Sequence, residues 1–144
     1  MAAAFNKFEV FITDLAAGSH VSALNADTDD LMIYLSNAVP SPSLDTVRGE
    51  LAEIANGNGY TTNGEDTGNA ATTTAGVISV APTNDPIVWT CVAAAMATFQ
   101  YVVLYNFTAT SRLIGWWDYG SPLTLQVGET FTVDFGATLF TVGS

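Results

Sequence analysis

Hydrophobic and polar positions alternate with a period of two over most of the second half of the chain. In TFTVDF, residues 130–135, aromatic and aliphatic side chains fall on one face and Thr and Asp on the other, as in a half-buried strand. Short runs rich in strand-forming residues recur between Pro, Gly and Asn: VISVA, IVWTCVA, TFQYVVLYN, RLIGWWDYG, LTLQV, TFTVDF and TLFTV. The pattern predicts a β-rich core over residues 77–144.

The first part of the chain carries a different pattern. Apolar side chains from Phe5 to Leu15 recur at helical spacing and Gly18 follows them, so residues 1–20 predict one amphipathic helix that ends near this glycine. The segment LMIYLS, Leu31–Ser36, is rich in strand formers and is stopped by the prolines of NAVPSPS. It predicts a further strand.

Two segments in the middle of the chain lack a strand pattern. SLDTVRGELAEIA places four apolar residues on one helical face after Ser43, which predicts a short second helix with this serine as its cap, although Gly49 disfavours it. Residues 56–76 consist largely of Gly, Asn and Thr. They predict a long loop or arm that becomes ordered against a neighbour.

These elements together predict the fold class. Many short strands at even spacing are typical of a β-sandwich or jelly-roll. We therefore expect a mainly β protein of about eight strands, with the N-terminal amphipathic helix as a decoration. The length of 144 residues fits one domain over residues 1–144.

The charge of the chain excludes some classes of partner. Three cationic residues stand against 14 carboxylates, for a net charge of -11. Proteins that bind nucleic acid or anionic membranes neutralise phosphates with Lys and Arg, so neither is an expected partner. The apolar run Ile87–Phe99 is too short to span a bilayer and the N-terminus lacks the basic region of a signal peptide. We expect a soluble protein made in a cytoplasm.

Nucleophilic chemistry has little support in the sequence. The only histidine, His20, lies beside Ser19 and no GxSxG elbow is present, so a histidine at the end of a helix is the preferred interpretation. The only cysteine, Cys91, lies in an apolar run, which is typical of a small buried hydrophobic residue. One cysteine gives no disulfide framework.

Carboxylate chemistry and metal binding are the other candidates. Glu50 and Glu53 are one helical turn apart, and a glycosidase needs two carboxylates, but in an acidic chain such a pair also fits a solvated face. The segment NADTDDL lacks the glycine and closing glutamate of a calcium loop, so turn chemistry is the preferred interpretation. Its carboxylates are those of Asp27, Asp29 and Asp30. We expect no catalytic residue, metal or cofactor.

Two other short motifs have no functional interpretation. The glycines at 57, 59 and 64 do not match GxGxxG and no lysine follows them. The sequon NFT at Asn106 is attributed to chance because no secretory signal is present.

The doubled tryptophan is the most distinctive feature. Adjacent residues of a strand point to opposite faces, so one of Trp116 and Trp117 is expected in the core and the other at a contact. The alternative is that the second ring is covered by the helix or a loop of its own chain.

Four segments of the chain carry a family resemblance. FNKFEVFITDLAAGSH, LAEIANGNGYTTNG, YVVLYN and LIGWWDYGSPLTLQVGETFTVDF resemble a family of small tailed-bacteriophage virion proteins, similar in kind to the capsid cement or decoration proteins encoded near the major capsid protein. The resemblance spans nearly the whole chain and is densest in the Trp-Trp-Asp-Tyr-Gly segment. The family usually has Asp-Pro before Leu-Ile-Gly-Trp-Trp, where this chain has Ser111 and Arg112.

The resemblance implies a non-enzymatic role on the exterior of a virion. A cement protein binds the outer capsid surface, has the major capsid protein as its partner and stabilises the shell against internal DNA pressure. We expect a homo-oligomer, a dimer or a trimer, with the N-terminal helix and the 56–76 arm as clamps. The candidate partner-contact residues are Phe5, Phe8, Tyr60, Trp116, Trp117 and Tyr119.

Two alternatives remain open. One is a structural component of the phage tail or of the head-tail junction. The other is a carbohydrate-binding receptor-recognition module, in which Trp116 or Trp117 forms a platform for a sugar together with Asp118 and Tyr119.

Overall fold

The computed structural model describes residues 3–20 and 30–143. These residues form one α-helix, α1 (Glu9–Ala17), and a 3-10 turn at Arg48–Glu50. Their strands are β1 (Asn6–Lys7), β2 (Leu31–Ser36), β3 (Glu65–Asp66), β4 (Ala70–Thr74), β5 (Val77–Ala81), β6 (Ile87–Thr90), β7 (Phe99–Asn106), β8 (Arg112–Leu123), β9 (Thr130–Val133) and β10 (Phe140–Val142).

The described strands form three sheets in which every pairing is antiparallel. The first has the order β1-β8-β7-β2-β3, the second β10-β5-β4 and the third β6-β9. The prediction of a mainly β fold is confirmed, with ten strands in the described residues where about eight were expected.

Strand β7 lies at the centre of the five-stranded sheet, between β2 and β8. Val103 pairs with Tyr34 of β2 on one side and with Trp116 of β8 on the other. All residues from Tyr101 to Asn106 are buried. A strand covered on both faces needs apolar side chains at successive positions, which is the reason for the sequence YVVLY.

Aromatic contacts join the three sheets and the helix into one core. Phe99 of β7 packs edge-to-face on Phe131 of β9, with ring centroids 4.8 Å apart. Phe11 of α1 packs in the same way on Phe140 of β10 at 5.4 Å. The buried apolar side chains form one continuous cluster that reaches every sheet.

The N-terminal helix is shorter than predicted. It begins at Glu9 because Asn6 and Lys7 extend and pair with β8. Its buried residues are Phe11 and Asp14, and Leu15 packs against the core, whereas Ile12 is exposed, so the predicted apolar face is only partly correct. Its end is confirmed: Gly18 adopts the left-handed conformation that commonly terminates a helix, with φ of 77°.

The second predicted helix was wrong. Only the 3-10 turn forms between residues 43 and 55, and the chain then runs extended beside β2. The amide of Ile54 donates to the carbonyl of Leu35 (3.0 Å), and Glu53 forms a bridge with Ser36. Tertiary pairing therefore overrides the local helical spacing.

The predicted arm over residues 56–76 is partly ordered within the chain itself. It contains β3 and β4, and both Tyr60 and Thr67 are buried. The Thr67 hydroxyl donates to the carbonyl of Leu31 at 2.8 Å. The prediction therefore needs correction: Tyr60, Thr67 and Asn69 anchor this segment in the fold, whereas residues between them, such as Thr62 and Glu65, are exposed.

Candidate partner-binding surface

Both tryptophans of β8 are covered by aromatic rings of their own chain. Trp117 is 6% exposed and packs between Phe5, at a centroid distance of 4.8 Å, and Phe135, at 5.2 Å. Trp116 is half-buried and packs on Phe8 at 4.6 Å. The two rings leave the strand on opposite faces, as alternation requires. The interpretation that the second ring is covered by its own chain is the one that fits these contacts.

Gly115 explains how β1 can lie against β8 beside the tryptophans. A Cβ atom at this position would stand 2.3 Å from Cζ of Phe5 and 2.4 Å from the carbonyl oxygen of Asn6. No side chain fits at such distances, so the glycine of LIGWW is required by the close approach of β1.

A cavity of about 340 Å³ lies next to Trp117, between β1 and the C-terminal residues. Phe5, Phe135, Lys7 and Asp134 also line it. A sugar stacks on an open ring face, whereas the Trp117 ring contacts Phe5 and Phe135 and is almost fully buried. Trp117 is therefore not an open sugar platform in this fold.

The predicted sugar partner Asp118 is engaged within the chain. Its Oδ1 atom accepts hydrogen bonds from the side-chain amide of Gln100 (2.9 Å) and from the backbone amide of Gly120 (2.7 Å). These contacts fix the carboxylate at the point where β8 departs from its regular pairing with β7.

Tyr119 is the predicted contact residue with the most exposed side chain, at 47%. Its ring packs edge-to-face on Phe131 at 5.7 Å. It borders an open groove of about 620 Å³, which Leu123, Leu125 and Glu129 also line. A half-exposed aromatic ring beside an open groove of mixed polar and apolar lining is suited to binding a partner.

Two turns that meet at Gly128, which lines the groove, carry exposed apolar side chains. Val92 is 51% and Val127 60% exposed. The Gly128 amide donates to the carbonyl of Cys91 (2.9 Å), which holds the two turns together. We call Tyr119, the groove, Val92 and Val127 the contact surface. The two valines were missed because no local pattern distinguishes an exposed valine in a turn from a buried one in a strand.

A buried polar cluster holds residues 48–63 onto the five-stranded sheet. Glu53 forms an ion pair with Arg48, and its Oε1 atom accepts from the Tyr60 hydroxyl (2.6 Å) and the Asn63 amide (2.7 Å). The Tyr105 hydroxyl donates to the carbonyl of Asn63 at 2.8 Å. One carboxylate thus joins three points of a segment without regular structure.

The tyrosines of this cluster are strongly biased to their neutral form. Burial raises the pKa of Tyr105 to about 12, against the partial opposing effect of Arg48. Burial also raises the pKa of Tyr34 and Tyr60 well above the usual range. A buried phenolate is costly because it loses its hydration, so these hydroxyls act as hydrogen-bond donors that fix the fold.

A second buried polar cluster attaches the helix to the sheet. Arg112 donates two hydrogen bonds to the carboxylate of Asp14, at 2.7 and 2.6 Å. His20 is buried, with Nε2 at 3.7 Å from Asp14 and Nδ1 at 3.1 Å from the side-chain amide of Asn106. The bond with Asp14 raises the pKa of Arg112. The charged groups fasten α1 to the end of β7 and the start of β8.

The remaining chemical candidates also have structural contacts. The carboxylate of Glu50 accepts from the Thr46 amide at 2.7 Å, which lowers its pKa. Cys91 is buried, as predicted, and Asn106 of the sequon is fully buried. Within residues 3–20 and 30–143, no group of three His, Cys, Asp or Glu side chains could hold a metal ion. Asp27 and Asp29 lie outside the described residues.

The six predicted contact residues therefore divide into groups. Phe8 and Tyr60 are buried in the core, which corrects their assignment to a surface. Trp117 is nearly buried, whereas Phe5 and Trp116 are half-buried. Only Tyr119 lies on the contact surface. None of the described helices is long and apolar enough to cross a membrane.

Comparison of the chain with protein-family models, with curated proteins and with solved structures gives no match. The resemblance to phage virion proteins therefore stays a prediction.

Proposed function

We propose that this protein is a non-enzymatic structural component of a tailed-phage virion. It acts as a capsid cement protein: it binds the outer surface of the shell, contacts the major capsid protein and stabilises the shell. It is made in the host cytoplasm and ends on the exterior of the particle.

The observation that carries the proposal is the division between interior and surface. The ion pairs of Arg48 and Arg112 hold irregular segments and the helix onto the sheet. The contact surface instead offers a half-exposed tyrosine beside an open groove and two exposed valines, Val92 and Val127, in the turns that meet at Gly128. Charged groups that fix a fold, beside apolar groups that face outward, favour a protein that functions by binding.

Charge also supports a protein partner rather than DNA. The chain has a net charge of -11, so packaged DNA repels it, and an external position on the shell avoids that repulsion. The contact surface itself carries few charges, with Glu129 on the border of the groove. Many copies, each bound through a small surface, stabilise a shell because the contacts repeat at equivalent positions.

A tail or head-tail component is the second structural candidate, since the same surface serves either location. The two roles differ in copy number, because a cement protein covers the whole shell and a tail component occupies one vertex. The number of copies per particle therefore separates them.

The direct test is binding to DNA-free shells that lack this protein. Purified chain is mixed with shells, and bound protein is measured by co-sedimentation as its concentration is raised. We expect saturable binding at a copy number set by the shell symmetry, together with a higher melting temperature of the shell. Shells that sediment without the protein at every concentration would contradict the proposal.

Two matched valine variants assign the binding to the contact surface. Val127→Asp places a carboxylate on that surface, and Val39→Asp makes the same change at an exposed valine between β2 and the 3-10 turn. We expect Val127→Asp to weaken shell binding at least tenfold and Val39→Asp to bind as the wild type does. Equal binding by both variants would exclude the contact surface.

A further inference from the structure

A free sheet edge presents unpaired backbone groups to which another strand can bind, so proteins usually shorten, charge or cover such edges. Two edges of the five-stranded sheet are protected in this way. Strand β1 has two residues and includes Lys7. Strand β3 also has two residues, and both are carboxylates, Glu65 and Asp66.

The outer edges of β10, β6 and β9 are also covered or flanked by charge. The Lys7 ammonium donates to the carbonyl of Thr141 in β10 at 3.3 Å. The backbone of Gly59 lies against β6, where a Cβ atom on this glycine would stand 2.0 Å from the carbonyl oxygen of Thr90. Strand β9 begins after Glu129 and is followed by Asp134.

Strand β4 has none of these protections. Its five residues, AATTT, make it the longest of these edge strands, and none is charged or a proline. It pairs with β5 on one side, and no other described strand pairs with its outer side. Thr72, Thr73 and Thr74 are exposed. The sequence carries no charge from Thr67 to Asn84.

We propose that the outer edge of β4 pairs antiparallel with β4 of a second copy of this chain. The pairing joins the two three-stranded sheets, β10-β5-β4, across a two-fold axis. Two identical strands satisfy each other in this arrangement, because an isologous contact places the same residues on both sides. Backbone hydrogen bonds between the two strands supply the affinity, so the contact does not require specific side-chain interactions.

Charge is the reason to choose a second copy as the occupant. Two chains that each carry -11 repel each other over most of their surfaces. They approach closely only where carboxylates are absent, and β4 is an uncharged edge. A basic partner would instead be attracted to carboxylates, such as those of β3.

The size of the contact sets its expected strength. One strand pair of this length buries less than the roughly 1,200–2,000 Å² of a standard stable interface. We therefore expect a weak dimer that forms as concentration rises, and more readily at raised salt, which screens the net charge. The inference goes beyond the proposed function and does not depend on it, because the test uses the protein without shells.

The test is sedimentation equilibrium of the full chain and of two charge variants. Thr72 is the central residue of β4, so in a two-fold pairing centred on the strand its side chain lies close to its counterpart, about 5 Å between Cβ atoms. We expect the wild type to dimerise and Thr72→Glu and Thr72→Lys each to lose at least tenfold in dimer affinity. An equimolar mixture of the two variants regains the dimer, because opposite charges then face each other.

The controls separate loss of pairing from loss of folding. Thr62→Glu introduces the same charge at an exposed threonine outside β4 and should dimerise as the wild type does. Restoration by mixing also excludes misfolding. A wild type that stays monomeric at every concentration would overturn the inference, as would variants that dimerise normally or a mixture that stays monomeric. Shell binding by a monomeric chain would leave the proposed function standing and reject only the β4 contact.

Discussion

The five-stranded sheet and the three-stranded sheet use their strands for different purposes. At the centre of the first, every side chain from Tyr101 to Asn106 is buried, whereas at the edge of the second Thr72, Thr73 and Thr74 are exposed. In the first sheet β7 pairs with a strand on each side, whereas the second sheet ends in β4, an edge strand without charged residues. The fold therefore depends mainly on the first sheet, and the second is available for contact.

The polar groups differ in the same way. Two partly buried ion pairs, Arg48 with Glu53 and Arg112 with Asp14, fasten segments to the five-stranded sheet. The edge of the three-stranded sheet is uncharged along β4. Removing a group from the first sheet should thus affect stability, and changing the edge of the second should affect association.

Truncation of a central side chain should give the largest loss of stability. Leu104 is fully buried in β7, so Leu104→Ala should lower the free energy of unfolding by about 2–5 kcal/mol through lost burial and an unfilled cavity. Thr73→Ala, at the exposed edge, should stay within about 0.5 kcal/mol. Urea denaturation measures both, and similar losses would refute the division between the sheets.

Substitution of Glu53 and of Glu50 should have very different effects on the free energy of unfolding. Glu53→Ala removes the acceptor of Tyr60 and Asn63 and leaves the largely buried Arg48 without its partner. We expect a loss of about 3 kcal/mol, the lower end of the range for breaking a buried pair. Glu50→Ala, at an exposed carboxylate, is the control and should lose less in the same denaturation experiment. The reverse order would show that the buried cluster does not hold the segment.

A pair of glycine substitutions tests the close approach of β1. Gly115→Ala introduces a methyl group where Phe5 and Asn6 leave no room, and should cost about 1–3 kcal/mol, as overpacking does. Gly49→Ala has no atom within 4 Å of the new Cβ and should be neutral. Thermal unfolding compares the two. A neutral Gly115→Ala would mean that β1 is not held against β8.

Alkaline pH should destabilise the five-stranded sheet. Tyr105 keeps its proton in the folded protein up to a pKa of about 12, whereas in the unfolded chain it loses it near 10.0. The unfolded state thus binds fewer protons in this window, so the free energy of unfolding falls as pH rises from 10 to 12. Each buried tyrosine contributes up to about 1.4 kcal/mol per pH unit.

The variant Tyr105→Phe identifies the source of this pH dependence. Unfolding is measured at a series of alkaline pH values for both proteins. We expect a shallower decline in the variant, because one of the four tyrosines with a raised pKa is absent. Identical slopes would show that Tyr105 is not protected from ionisation in the folded state.

The strands that the sequence predicts well are those with a clear local pattern, either a continuous apolar run or a strict alternation of apolar and polar residues. LMIYLS and YVVLYN are apolar up to their last residue and lie in β2 and β7, and the alternation in TFTV gives β9. The turn at Gly18 was also predictable, because glycine is the usual residue for a left-handed helix end.

The errors share a cause, which is pairing between residues far apart in sequence. Phe5 directly precedes β1, which pairs with β8 more than 100 residues away in sequence. It is therefore not part of the helix. Ile54 pairs with Leu35 in spite of its helical spacing. Tyr60, in a segment of Gly, Asn and Thr, is buried, with its ring against Trp89 and its hydroxyl bonded to Glu53. Such long-range contacts cannot be predicted from local composition.

The contact surface was only partly predictable for a related reason. Tyr119 was predicted as a contact because it follows the doubled tryptophan and Asp118 in the segment Trp-Trp-Asp-Tyr-Gly. Val92 and Val127 become neighbours only when the Gly128 amide meets the carbonyl of Cys91. The free edge of β4 could not be predicted either, because it depends on the order in which all the strands pair.

The central claim is that this protein works by binding a shell through its surface. A cryo-EM map of the encoding phage particle, with copies per particle counted by quantitative mass spectrometry, tests it most directly. The account predicts many copies over the outside of the shell, with Tyr119, Val92 and Val127 facing the major capsid protein. A few copies confined to the tail, or a particle without the protein, would contradict it.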